Sequence, residues 1–143
     1  MTIASWLVLP QLSRGADAAL LLSRVSVGAF LIWGVADNIT SAEHMAKFAA
    51  FLKQYGFPAP ELAAPLGVAV QAGCGLLFVA GFATRWAGLL CALNFIIAIV
   101  MVDQHAGPRG AYPAWSLVVL GLILATIGPG RFSVDARLKP AGE

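Results

Sequence analysis

Four long apolar runs joined by short polar connections leave this chain little choice of fold. They cover about residues 18–38, 61–83, 86–104 and 111–128. Ala18 to Ala36 carries one charge, Arg24, and the apolar hearts of the other three runs carry none. A bilayer's hydrocarbon core is roughly 30 Å thick, and a helix rising about 1.5 Å per residue crosses it in about 20 residues, with about 17 still sufficient. The expected fold is therefore all-α: a four-transmembrane-helix antiparallel bundle, forming a single integral membrane domain over residues 1–143.

Composition supports this and excludes other classes. Hydrophobic residues make up 59% of the chain and charged ones 11%, against roughly 25% charged residues in a soluble domain. A chain this short could not bury so much apolar surface in water. The net charge of +2 is small and the basic residues do not cluster, so no nucleic-acid partner is expected. Cys74 and Cys91 lie in separate apolar runs, without CxxC or zinc-ligand spacing. They read as small buried hydrophobes about 6 Å apart along the membrane normal rather than a redox pair. Met1 to Leu9 lacks a basic n-region and its apolar stretch stops at Pro10, so the first span reads as a retained signal anchor.

Lys and Arg set the orientation. One side carries Arg14, Arg85, Arg131, Arg137 and Lys139, with Arg24 nearby; the other carries Lys47, Lys53 and Arg109. The positive-inside rule puts both termini in the cytoplasm. In the first outer loop, Thr40-x-x-Glu43 reads as a capping box. Met45, Phe48, Phe51, Leu52 and Tyr55 then share one helical face, and Gly56, Pro58 and Pro60 end the segment. This pattern predicts a short amphipathic helix at the outer interface; a partner-docking helix would have the same pattern. A tight inner turn at Thr84-Arg85 makes the second and third spans antiparallel neighbours. The second span is rich in Gly and Ala, which suits close packing in lipid and a central position. Pro65 and Pro113 fall in the first turns of their spans. No internal repeat is evident.

Polar groups inside the spans are the best pointers to function. Helical depth brings Arg24, Gln71 and Asn94 toward the middle of the bundle, where Arg24 donates to the two amide oxygens. Alternatively Arg24 snorkels to the headgroups and the amides only bridge helices. A second constellation forms at the outer rim from Trp33, Asp37, Asn38, Asp103, His105, Tyr112 and Trp115, with His44 in the adjoining loop. These residues suit a quinone head group, a proton relay or a weakly held metal; the plainer reading is an aromatic belt with polar helix ends. No dedicated metal site is expected. Nor is a haem, flavin or nucleotide site: no His lies within a span, and Gly128-Pro129-Gly130 lacks the Lys-Ser/Thr of a phosphate loop.

Several short motifs recur in a familiar order. They are Arg24-x-x-x-Gly28 with Gly34, Tyr55-Gly56-Phe57-Pro58, Gly73 with Gly75, Gly81-Phe82-Ala83-Thr84-Arg85, and Gly128-Pro129-Gly130-Arg131-Phe132-Ser133-Val134-Asp135. Together, from Leu21 to Asp135, they resemble the DoxX family. Thr84, Arg85, Arg131 and Asp135 form the inner-face part of that signature. Two positions depart from it: Gln71 stands where many members carry Glu, and Trp33 where His is common, which weakens any proton-coupled role for those two places.

The resemblance implies a multi-pass protein of the bacterial inner membrane, in contact with lipid and with protein partners, possible homo-oligomers included. It is expected to be an accessory or anchoring subunit of a redox or stress-response complex, in the manner of the membrane subunit of thiosulfate:quinone oxidoreductase, with quinone as the candidate cofactor. One alternative is a quinone-linked oxidoreductase component acting on a small sulfur or thiol substrate, with His105 and Asp103 handling protons and Trp115 stacking on the ring. A further alternative is a small transporter using Arg24, Gln71 and Asn94. In the tail, Gly128-Pro129-Gly130 stops the last span and Arg131 sits among phosphates. Asp135 is expected to pair with Arg131, Arg137 or Arg85 for about 0–1 kcal/mol.

Overall fold

A computed structural model describes residues 9–138. After a 3₁₀ turn at Pro10–Gly15 come α1 (Ala16–Thr40), α2 (Ala42–Gln54), α3 (Pro60–Ala80) and α4 (Thr84–Met101). A second 3₁₀ turn, Asp103–Ala106, leads into α5 (Gly107–Ile127), and the short α6 (Val134–Leu138) ends the described chain. Among the described residues, four helical segments are long and apolar enough to cross a membrane: Pro10–Thr40, Pro60–Ala80, Thr84–Met101 and Asp103–Ile127.

Two boundaries differ from the sequence reading. The turn between the second and third spans is Gly81 to Ala83, and Thr84 and Arg85 open α4 instead of forming the turn. Gly81, at φ +68, supplies the left-handed C′ residue: its N–H reaches the Phe78 carbonyl and that of Phe82 reaches Leu77. The last span starts at Gly107 rather than near Ala111, because Pro108 is preorganised for a first helical turn.

The amphipathic segment forms as α2, but its cap moves by one residue. Ser41, not Thr40, is the N-cap, its Oγ accepting from the His44 N–H at 3.3 Å. The Thr40 hydroxyl donates back to Ala36 at 2.8 Å, and Glu43 pairs with Lys47 at 2.7 Å. At the other end Gly56, at φ +74, closes a Schellman motif: its N–H donates to Lys53 and that of Phe57 to Leu52.

The bundle is built from two tight pairs, α1 on α3 and α4 on α5, joined where α3 meets α4; α2 lies against α1 and α3. In lipid the pairing must come from packing rather than water exclusion, and glycine makes it possible. A Cβ added at Gly28 would sit 2.6 Å from the Gly75 carbonyl oxygen, and one at Gly75 would sit 2.8 Å from that of Gly28. Gly88 and Gly121 approach each other in the same way between α4 and α5. The core between the pairs contains Val27, Leu31, Cys74, Phe78, Ala87, Cys91, Leu117 and Leu124. Leu22, Leu62, Leu76 and Val100, among many others, point outward. That distribution suits helices solvated by lipid chains.

Candidate functional site

Arg24 does not join Gln71 and Asn94. Its Nη1 donates to the carbonyls of Phe78 and Val79, both at 2.8 Å, and its Nη2 donates to Phe132. The side chain is enclosed by protein, with 2% exposure, so it does not snorkel either. The reason is local. The last carbonyls of α3 have no intrahelical partner, they carry the negative end of the helix dipole, and a guanidinium offers several donors in one plane. Depth counting along α1 could not anticipate that the tail folds back to provide the third carbonyl.

The inner-face signature closes around this arginine. Asp135 pairs with none of Arg85, Arg131 or Arg137. Its carboxylate instead accepts from the backbone N–H groups of Ala83 at 2.7 Å and Thr84 at 2.9 Å, while its own N–H donates to Gly81 at 2.9 Å. It thus caps α4 from 51 residues further along the chain, and it holds Ala83 at φ +47, a conformation unfavourable for any residue with a Cβ. Arg85 closes the far end of α5 as Arg24 closes α3: its Nη1 donates to Ala125 at 2.8 Å and Thr126 at 2.6 Å. Ser133 Oγ donates to Gly130 at 2.7 Å and accepts from Ala136 at 3.1 Å. Asp17, which sequence reading passed over, accepts from the Arg131 N–H at 2.9 Å. Thr84, Arg85, Arg131 and Asp135 therefore do come together, as a latch that ties the tail to two helix ends.

Away from this latch, a groove of about 670 Å³ opens among α1, α2, α3 and α4. Gln71 and Asn94 line it at mid-span, and Asn38 and Asp103 line it near the ends of α1 and α4. The remaining walls are apolar, including Val68, Leu90 and Leu93, with Phe48, Phe51 and Phe57 supplied by α2 and its following turn. Gln71 Nε2 lies 3.5 Å from the Leu31 carbonyl, a weak contact. The missing side chain of Gly34 leaves room for that amide, since a Cβ there would sit 3.4 Å from it. Two sets of residues that sequence reading kept apart, the mid-membrane amides and the outer rim, thus share one cavity.

The rest of the rim is dispersed. Trp33 is 76% exposed and Trp115 55%, and both are absent from the groove lining. The Asp37 carboxylate is occupied by the N–H of Asn38 at 2.9 Å. His105 packs near the Tyr55 ring, with centroids 6.1 Å apart, outside the lining. Among the described residues, no three His, Cys, Asp or Glu side chains are grouped to hold a metal. Sequence reading did find the apolar face of α2, but not that its phenylalanines line the groove, which depends on where α2 folds back.

The model of the family described as DoxX matches residues 19–104. The matched stretch includes Arg24, the three groove amides and Thr84-Arg85, and ends before Asp135. An uncharacterized membrane protein of Mycobacterium tuberculosis is 33% identical over 100 residues, covering 60% of this chain and 61% of the relative. The chain therefore spans about three-fifths of that relative's length. No solved structure matches.

Proposed function

The chain belongs to the DoxX family, and from that premise we propose that it is an accessory integral-membrane subunit of a redox or stress-response complex, holding a quinone in the groove among α1, α2, α3 and α4. The observation that carries this reading is the presence of both Gln71 and Asn94 at mid-span in a cavity of about 670 Å³ whose other polar lining residues, Asn38 and Asp103, lie near the ends of α1 and α4. A quinone is a flat apolar ring with carbonyl oxygens that need N–H donors once they leave water. Two side-chain amides provide such donors, aromatic rings from α2 suit a flat ligand, and an apolar groove accommodates an isoprenoid tail.

Neutral amides hold a quinone without exchanging protons with it. Among the described residues, Asp103 is the one titratable side chain in the groove lining, and His105 and Trp115, on which a proton-handling oxidoreductase would depend, lie outside it. These facts favour presentation of quinone to a partner protein over turnover within this chain. The Lys and Arg distribution supports an orientation with both termini on the cytoplasmic side of a bacterial inner membrane.

The test is quinone binding to the protein in lipid nanodiscs, measured by equilibrium dialysis with a short-tailed ubiquinone and a short-tailed menaquinone. Gln71→Leu combined with Asn94→Leu is expected to weaken binding about tenfold or more, as loss of two modest hydrogen bonds implies. Unchanged binding in the double variant refutes the groove as the site. Mild-detergent purification from native membrane is expected to bring protein partners along, and recovery of this chain alone refutes the accessory role.

A further inference from the structure

A second cavity, of about 550 Å³, lies at the latch end. Thr84, Arg85 and Trp86 line it from the first turn of α4, Gly130 and Arg131 from the break after α5, and Asp135 from α6. We propose that this cavity binds a phosphate group between Arg85 and Arg131, as carried by an anionic membrane lipid. The site is separate from the groove and does not depend on the quinone reading.

Its charge is positive and available. The Arg85 guanidinium spends part of its donor set on the carbonyls of Ala125, Thr126 and Ile127, but arginine carries more N–H groups than those bonds use. Arg131 is exposed, its guanidinium 4.9 Å from the centre of the Phe132 ring. Among the described residues neither arginine has a carboxylate within ion-pair distance; the one such pair is Glu43 with Lys47. Asp135 keeps its negative charge in the lining, but its two oxygens are held by the N–H groups of Ala83 and Thr84 and pair with neither arginine, so two guanidinium charges face one carboxylate there. Asp17 engages the Arg131 backbone from outside the cavity lining.

The location then selects the occupant. Arg85 is the second residue of one span and Ile127, also in the lining, is the last residue of another. The opening thus lies at headgroup depth, where Trp86, 72% exposed, is placed as interfacial indoles are. Arginine's planar fork matches phosphate oxygens.

The protein is reconstituted in nanodiscs of mixed phosphatidylglycerol and phosphatidylcholine, and the lipids it retains on extraction are counted by native mass spectrometry. Wild type is expected to retain phosphatidylglycerol preferentially. Arg131→Gln should cut that preference about fivefold, the effect of one basic residue near an anionic surface. Arg137→Gln, on the same end but outside the lining, should leave it intact. Circular dichroism of Arg131→Gln confirms the fold. Displacement of retained lipid by excess inorganic phosphate assigns the site to the phosphate group alone, and resistance to displacement assigns it to the lipid headgroup in place; both agree with the proposal. Equal retention of the two lipids by wild type overturns it, as does equal loss of preference in Arg131→Gln and Arg137→Gln.

Discussion

Gly28 and Gly75 touch backbone to backbone, each carbonyl oxygen standing where the other residue would carry a side chain. Four residues before Gly28, Arg24 caps the last carbonyls of α3, the helix that carries Gly75. The second pair repeats the device. Gly88 meets Gly121, and Arg85, three residues earlier, caps the last carbonyls of α5. Each helix pair is therefore a glycine contact closed by an arginine. The device uses too few residues to register as a sequence repeat.

Gly75→Ala is expected to lower stability by about 1–3 kcal/mol, the usual cost of forcing a methyl into a filled contact. Gly73→Ala, in the same helix with open space around it, should be neutral or stabilising by up to about 1 kcal/mol. Thermal unfolding in detergent separates the two variants. Similar melting temperatures would mean that the glycine contact contributes nothing.

Arg24→Leu leaves the carbonyls of Val79, at the end of α3, and Phe132, in the tail, without the arginine donors, while Phe78 keeps the Gly81 N–H. Each buried acceptor left without a partner costs about 1–3 kcal/mol, so a loss of at least about 2 kcal/mol is expected. The tail beyond Ile127 should also be released. Trypsin cleavage at Arg131 and Arg137 should become faster in the variant before global unfolding.

Asp135→Ala is expected to cost about 0.5–2 kcal/mol, the range for losing a helix N-cap. Arg137→Ala should cost less than about 0.5 kcal/mol, since Asp135 does not pair with it. Ala83→Gly should gain about 1 kcal/mol by relieving its left-handed backbone. Chemical unfolding of the three variants checks the order, and a larger effect at Arg137 than at Asp135 would restore the ion-pair reading.

Gly34→Leu fills the groove beside Gln71 without touching the latch. Quinone binding should fall at least about tenfold, the scale for losing one polar contact and part of the cavity, while the melting temperature changes little. Retained affinity would argue for a site elsewhere.

How far the sequence could be read depended on the interaction. The four spans and α2 were legible because length and hydropathy fix a membrane helix, and Gly56 marks the end of α2 chemically; the turn at Gly81 was instead read at Thr84-Arg85, which open the next helix. The cap at Ser41 was missed by one residue because Thr40 offers the same hydroxyl. Asp135 was expected among arginines because sequence displays charges and hides free N–H groups, which exist only once Thr84 opens a helix. Arg24 has the right depth to meet Gln71 but faces the ends of α3 and the tail, and facing is not readable from depth. Gln71 and Asn94, expected to meet Arg24, are half-buried amides that line a groove without it, and their link to Asn38 and Asp103 required the groove itself.

The most direct test of quinone holding is photolabelling of native membranes with an azidoquinone, followed by peptide mapping. Labels competed away by excess quinone are expected on peptides bearing Phe48 to Phe57 and Leu90 to Ala98, which border Gln71 and Asn94. Competed labels confined to the exposed face around Trp115, or none at all, would contradict the account.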